Sequence, residues 1–174
     1  VGDHDRWPRT YGSRRGIGEH RHGTSGRHRD HPVSSWTTVI PMTATIPPAA
    51  FPMLDAAEFA TIATMNPNGY PHLSVVWVAR DGDDLLVSTI KGRRKYLNME
   101  RDPRVTILVY PRDNPYSYVE VRGTVTMVEE GGRELIDRLN QEYTGTDRYV
   151  ADDGTDNVRV VCRITPDKVV TRLP

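Results

Sequence analysis

Four cationic residues crowd one short window of this chain: Lys91, Arg93, Arg94 and Lys95, set around Gly92. The chain has only three lysines, Lys91, Lys95 and Lys168, and two of them fall here. The window follows an apolar run, Asp84–Thr89, and opens a stretch with helical spacing, Arg93–Arg101. A helix start leaves backbone N–H groups without intrahelical partners and carries the positive end of the macrodipole. Cations are unfavourable there unless an anion sits among them. The pattern therefore predicts a seat for a phosphorylated ligand, built from helix N–H groups, guanidinium and ammonium. Ser88 and Thr89 end the preceding strand, and their hydroxyl and N–H groups are placed to donate to a phosphate or to ring oxygens. Each residue also has a plainer reading: solvated helix charges for Arg93 and Lys95, strand-end packing for Ser88 and Thr89.

Other chemistry is thin. There are no paired carboxylates at suggestive spacing, no Ser-His-Asp order and no Cys/His metal set. Five of the six histidines, His4, His20, His22, His28 and His31, lie irregularly spaced in residues 1–41, without a cysteine or carboxylate framework. No metal site is expected. His72, the one histidine outside that segment, sits on a strand, where a structural role outweighs that of a catalytic acid. Catalytic residues stay unassigned. A protein without an obvious nucleophile fits hydride-transfer chemistry, in which a cofactor carries the reactive atom and the protein positions it.

Composition narrows the classes. At 174 residues the chain fits one modest domain with a real core. Its 23 basic and 23 acidic residues balance, whereas a dedicated nucleic-acid binder is usually basic. The basic window also lacks the aromatic interleaving of single-strand binders. No nucleic-acid partner is expected. No apolar run approaches the roughly 18–20 residues that cross a bilayer. The N-terminus has no apolar h-region, and the single cysteine, Cys162, precludes an internal disulfide. A cytoplasmic protein with no membrane partner is expected. Cys162 falls inside the apolar run Val158–Ile164, a packing position rather than a reactive one.

Residues 1–47 form an Arg/His/Gly-rich extension with little aliphatic periodicity, expected to be disordered because it cannot bury enough apolar surface. Met42 is a candidate natural start. The organised domain is expected over 48–174. Ala49–Glu58 has modest helical spacing, limited by Pro52. Phe59–Met65 predicts a strand, and Asn66-Pro67-Asn68-Gly69 a turn. Pro71–Arg80 predicts a second strand, turned by Asp81-Gly82-Asp83 into a third, Asp84–Thr89, giving a three-stranded meander. A helix over Arg93–Arg101 stops at Asp102-Pro103, with Asn98 capping or bridging backbone. Val105–Tyr110 predicts a buried strand, and Tyr118–Val128 alternates clearly. A helix over Gly132–Tyr143 ends at Gly145. Thr146–Asp156 predicts a loop. Val158–Ile164 and Lys168–Leu173 predict one last strand or a bent pair. About six antiparallel strands joined by tight turns, with short helices, predict a mainly β protein: a β-barrel with flanking helices.

The run from Asn66-Pro67-Asn68-Gly69 through Pro71-His72-Leu73-Ser74-Val75-Val76-Trp77, Leu85-Leu86-Val87-Ser88-Thr89 and Lys91-Gly92-Arg93-Arg94-Lys95 to Asn98 and Arg101-Asp102-Pro103-Arg104 resembles the pyridoxamine-phosphate-oxidase-like split β-barrel superfamily. Asn114-Pro115-Tyr116-Ser117-Tyr118 and Glu120-Val121-Arg122-Gly123 fit the same pattern. The likeness spans Phe59 to Thr171. Within the superfamily the chain is most similar to actinobacterial oxidoreductases that use the deazaflavin coenzyme F-420.

The resemblance implies an FMN-binding split barrel and a homodimer with cofactor sites at its interface. It implies that Ser88, Thr89, Ile90, Lys91, Gly92, Arg93 and Lys95 hold the cofactor's phosphate and tail. Ser74, with Val76 and Trp77, would lie near the ring system. Tyr116 and Tyr118 would approach from the other subunit. Lys91 and Arg94 stand where relatives vary, so Arg93 and Lys95 are the firmer pair. The implied activity is hydride transfer from reduced F-420 to a small or planar conjugated substrate. Two alternatives stay open. One is an oxidoreductase of the pyridoxamine-phosphate-oxidase type that binds flavin mononucleotide, although its C-terminal substrate-binding Arg and His are not visible here. The other is a non-catalytic carrier of F-420 or a tetrapyrrole.

Overall fold

A computed structural model describes residues 43–173 of the chain. In chain order the main elements are α1 (Phe51–Leu54), β1 (Ala60–Met65), β2 (Pro71–Val76), β3 (Ala79–Asp81), β4 (Asp84–Ile90), α2 (Arg94–Arg101), β5 (Arg104–Val109), β6 (Tyr118–Val128), α3 (Gly132–Thr144) and β7 (Arg159–Arg172). The seven strands form one sheet in the order β2-β1-β5-β6-β7-β4-β3, antiparallel throughout. The two edge strands, β2 and β3, are joined by Trp77 and Val78 alone. Three peptide steps reach at most about 11 Å. The sheet must therefore curl until its edges nearly meet, which makes a barrel with one open seam.

Alternation decides what goes inside. Leu85 and Val87 of β4, Ile107 and Val109 of β5, Val119 and Val121 of β6, and Val160, Cys162 and Ile164 of β7 all point into the barrel and are buried. A second apolar layer lies outside it. There α3 sets Leu135 and Leu139 with Ala79 and Leu86, flanked by Trp77, Tyr143 and Val161. Each layer buries one face of β4 and β7, so these strands are covered on both sides.

Three expectations need correction. The stretch Pro71–Arg80 is two strands, and the first three strands are not a meander: β2 pairs with β1, and β3 pairs with β4 on the opposite edge. The break has a side-chain cause. The Val78 N–H donates to Tyr143 Oη at 3.0 Å, and Tyr143 Oη donates to Glu58 O at 2.7 Å. A phenol on α3 thus takes the place of a ladder partner at Val78. The sheet of seven strands agrees with the expected mainly β barrel of about six. Asn98 is fully buried and bridges side chains, not backbone: its Nδ2 donates to Thr64 Oγ1 and Asn66 Oδ1, both at 3.1 Å. This ties α2 to the end of β1. Finally, the first helix ends at Leu54, and Ala57 beyond it adopts a left-handed conformation with φ 53°.

The last strand is continuous but bent. Asp167 is the extra residue where Gly123 faces Pro166 and Arg122 faces Lys168. Glycine is required at 123, because a Cβ there would stand 2.4 Å from the Thr165 carbonyl oxygen. At the start of the domain, Ile46 is fully buried and its N–H donates to Asp83 Oδ1 at 2.9 Å. The packed chain thus begins before Pro48. The expectations for the histidine tract and for a start at Met42 lie outside the described residues. Among the described residues no helix is long and apolar enough to cross a membrane.

Candidate functional site

Three of the residues expected at the phosphate seat meet in one place. Ser88 from β4, with Arg93 and Lys95 from the start of α2, lines a cavity of about 190 Å³. Phe59, Val75, Val76 and Trp77 form one wall, Ile136 and Leu139 of α3 another, and Tyr149 and Arg159 complete it. The cavity therefore opens on the outer face of the barrel, between the α2 start, α3 and the seam.

The charge here is unbalanced. Among the described residues neither Arg93 nor Lys95 has a carboxylate partner. Burial, together with the like charges of Arg93 and Arg159, pushes the Lys95 ammonium below the ordinary lysine range. The first turn of α2 holds no acidic residue, and no side chain caps it. Its first backbone bond runs from the Leu97 N–H to Arg93 O at 3.0 Å, which leaves the N–H groups of Arg94, Lys95 and Tyr96 ahead of it. Unpaired cations at an uncapped helix start fit an anion.

Arg159 is the cation that sequence reasoning missed. Its Nε and Nη2 donate to the two carboxylate oxygens of Asp152 at 2.6 and 3.0 Å. Its guanidinium lies 4.8 Å from the centre of the Tyr149 ring, and Nη1 reaches Ser88 Oγ at 3.5 Å. The Arg159 hydrogen bond holds the Asp152 carboxyl below the ordinary range. Local packing fixes the position: a Cβ on Gly132 would stand 2.2 Å from Arg159 O, so α3 begins directly against the first residue of β7. One signal was available in the sequence. Arg159 opens an apolar strand on the face that Val161 shares.

The aromatic wall is interlocked. Trp77 stacks on Tyr143 with ring centres 5.2 Å apart, and Tyr149 meets Trp77 edge-on at 6.0 Å. Tyr149 is held by its own backbone: its N–H donates to Asp137 Oδ1 at 2.7 Å, and its carbonyl accepts from Arg133 Nη2 at 2.9 Å.

The remaining expected site residues lie elsewhere. Lys91 is exposed and paired with Glu129, which raises its pKa. Gly92 is an exposed turn residue. Ile90 and Thr89 are buried, and alternation places Thr89 on the barrel side with Val87. Thr89 Oγ1 and Ser74 Oγ are buried without hydrogen-bond partners. Ser74 does not line the cavity, although its neighbours Val75, Val76 and Trp77 do. Tyr116 and Tyr118 lie at the far end of β6. The β6 residue that aligns with Val161, and through it with Ser88, is Val128. Tyr118 is ten strand positions before it, about 30 Å along the strand. One chain does not bring these tyrosines to the cavity.

Residues 46–172 match the family model described as pyridoxamine 5'-phosphate oxidase. No curated protein sequence matches the chain. Among solved structures, an F420 reductase is 29% identical with a TM-score of 0.64, the match covering 73% of this chain and 100% of that one. A conserved hypothetical protein of Mycobacterium tuberculosis is 26% identical with a TM-score of 0.56, covering 74% and 85%. A candidate pyridoxamine 5'-phosphate oxidase from Listeria innocua, 21% identical with a TM-score of 0.54 over 70% and 93%, shares the fold.

Proposed function

The chain belongs to the pyridoxamine 5'-phosphate oxidase family, and from that premise we propose that it is an F-420-dependent oxidoreductase acting on a small or planar conjugated substrate. At family level the assignment is to oxidoreductases of flavin or deazaflavin type. The observation that carries the finer reading is the pairing of an uncompensated cationic corner with an aromatic wall in one cavity. The likeness to an F420 reductase favours the deazaflavin. The family's own description keeps flavin mononucleotide as the second reading.

The residues divide the work. Arg93, Lys95 and the N–H groups at the start of α2 would hold the phosphate. Trp77, Val75, Val76 and Tyr149 would flank a planar ring. When bound, the reduced cofactor supplies the hydride. Asn98 keeps the α2 start in place through Thr64 and Asn66. Ile136 and Leu139 would give the bound ring an apolar contact from α3.

The same reading includes a homodimer. Small-molecule pockets usually start at about 300 Å³, so a nucleotide-sized ligand would extend beyond this cavity of about 190 Å³. The neighbouring edge strand β2 has no partner on one side and exposes Leu73 and Val75 by 62% and 67%. A second copy seated there would cover them. It would also supply Tyr116 and Tyr118 from outside the chain whose cavity they complete.

Parallel calorimetric titration with F-420, flavin mononucleotide and flavin adenine dinucleotide tests the assignment, with sedimentation for the dimer. The expected order places F-420 first. Tighter binding of flavin mononucleotide would move the assignment to the second reading, and no binding of any of the three would end it.

A further inference from the structure

We propose that Arg159 is a specificity-determining residue of this pocket, one that makes it require a doubly charged anionic head on its ligand. The inference rests on the reading of the cavity as a flavin or deazaflavin site. It names a contact outside the helix-start motif.

Arg159 and Asp152 are each only 9% exposed, and they pair through two parallel hydrogen bonds. That fork uses Nε and Nη2. A guanidinium has five N–H donors, so Nη1 remains, directed to Ser88 Oγ across the cavity wall. Ser88 and Arg159 both line the cavity that Arg93 and Lys95 line. The lining cations are three, and the one carboxylate bound to them is Asp152, leaving two positive charges uncompensated. A phosphate monoester carries a charge of about −1.5 to −2 near neutral pH and would match that balance. A phosphodiester carries one negative charge and would need a carboxylate beside it. An uncharged ribityl chain would leave all of it unmatched. Asp152 also accepts a hydrogen bond from Asn157 Nδ2 at 2.9 Å. It is thereby held in place to aim Arg159 even while it offsets its charge.

A purely structural Arg159 would anchor the 145–158 loop and Tyr149, and its loss would weaken every ligand alike. A charge-reading Arg159 separates ligands by their anion. The test is calorimetric titration of the full chain and of Arg159→Met with two pairs: flavin mononucleotide against riboflavin, and F-420 against its phosphate-free deazaflavin riboside. Arg159→Met should weaken the phosphorylated member of the bound pair by about 10- to 100-fold, the span of a charged hydrogen bond. The unphosphorylated member should change by less than about threefold. Equal loss for both members, or no loss for either, overturns the proposal. Asp152→Asn keeps the guanidinium and one acceptor oxygen to aim it while removing its countercharge, so it serves if Arg159→Met does not fold. Phosphorylated-ligand affinity should then hold or rise, and a fall would overturn the proposal. If the wild-type chain binds neither phosphorylated ligand, the cofactor assignment itself fails. If it binds one and Lys95→Met weakens that binding while Arg159→Met does not, only the role of Arg159 fails.

Discussion

A larger cavity of about 360 Å³ lies at the other end of the sheet, lined by Asp102, Arg104, Arg122 and Asp167 together with Thr64 and Gly123. Its lining charges balance in number, two arginines against two aspartates. Arg104 forks onto Asp102 at 2.9 and 2.7 Å, Arg122 pairs with Glu120, and Asp167 accepts from Thr124 Oγ1 at 3.1 Å. The smaller cavity holds Arg93 and Lys95 with no carboxylate, beside an Arg159 that is paired with Asp152. The larger space has the poorer claim to a charged ligand. What separates the two is residual charge: a folded protein keeps a half-buried, unpaired ammonium such as that of Lys95 at a cost, and a bound anion removes that cost.

The largest expected effect tests that contrast directly. Lys95→Met should weaken binding of whichever of F-420 or flavin mononucleotide the protein takes by about 1.5–3 kcal/mol. Arg104→Ala and Arg122→Ala, in the balanced cavity, should change it by less than about 0.5 kcal/mol. The same Lys95→Met should leave the ligand-free protein as stable as wild type or more so, because it removes a desolvated charge beside Arg93. Calorimetry and urea unfolding read the two sides. Equal binding losses from Lys95 and Arg104 variants would dissolve the distinction between the cavities.

Next comes a change confined to the larger cavity. Gly123→Ala would drive a Cβ to within 2.4 Å of a backbone carbonyl that has no rotamer to escape into. Overpacking of this kind costs about 1–3 kcal/mol, and urea unfolding should show it as a lower midpoint. Ligand affinity should not move, since Gly123 lies outside the charged pocket.

The contrast also marks what the sequence could disclose. Strand alternation, the α2 start and the cationic window are local patterns, and they were legible as such. Sheet order was not, because the cause of the break at Trp77-Val78 is a hydrogen bond from Val78 to Tyr143, 65 residues away. Val76-Trp77-Val78-Ala79 is unbroken apolar sequence and reads as one strand. The two lysines of the window show the same limit. Lys91 is neutralised by Glu129, 38 residues on, while Lys95 is turned into the cavity. Spacing alone does not tell them apart. Arg159 reads as a strand start because its neighbour across the pocket wall, Ser88, lies 71 residues earlier. The family pattern supplied the expectation of a phosphate seat; the long-range pairing supplied the third cation of that cavity.

The smallest effects are pH dependences, and the two cavities should differ in sign. Asp102 accepts from Arg104 through Nε, Nη2 and the backbone N–H, and this holds its carboxyl at about 2, down from 3.8. A carboxyl lowered on folding contributes stability above its unfolded value and loses it as pH falls through the folded one. Asp102→Asn should therefore be slightly less stable than wild type at neutral pH, with the difference shrinking between about pH 4 and pH 2. Lys95 behaves oppositely. Its folded pKa lies below 10.5, so below that lowered value the free protein carries the whole desolvation penalty. The penalty fades as pH rises through it. Anion binding needs the charged ammonium, so wild-type affinity should fall with rising pH in the alkaline range, while Lys95→Arg, which stays charged, should hold its affinity across the same range. A wild-type affinity that is flat with alkaline pH would mean that the Lys95 ammonium does not face the anion.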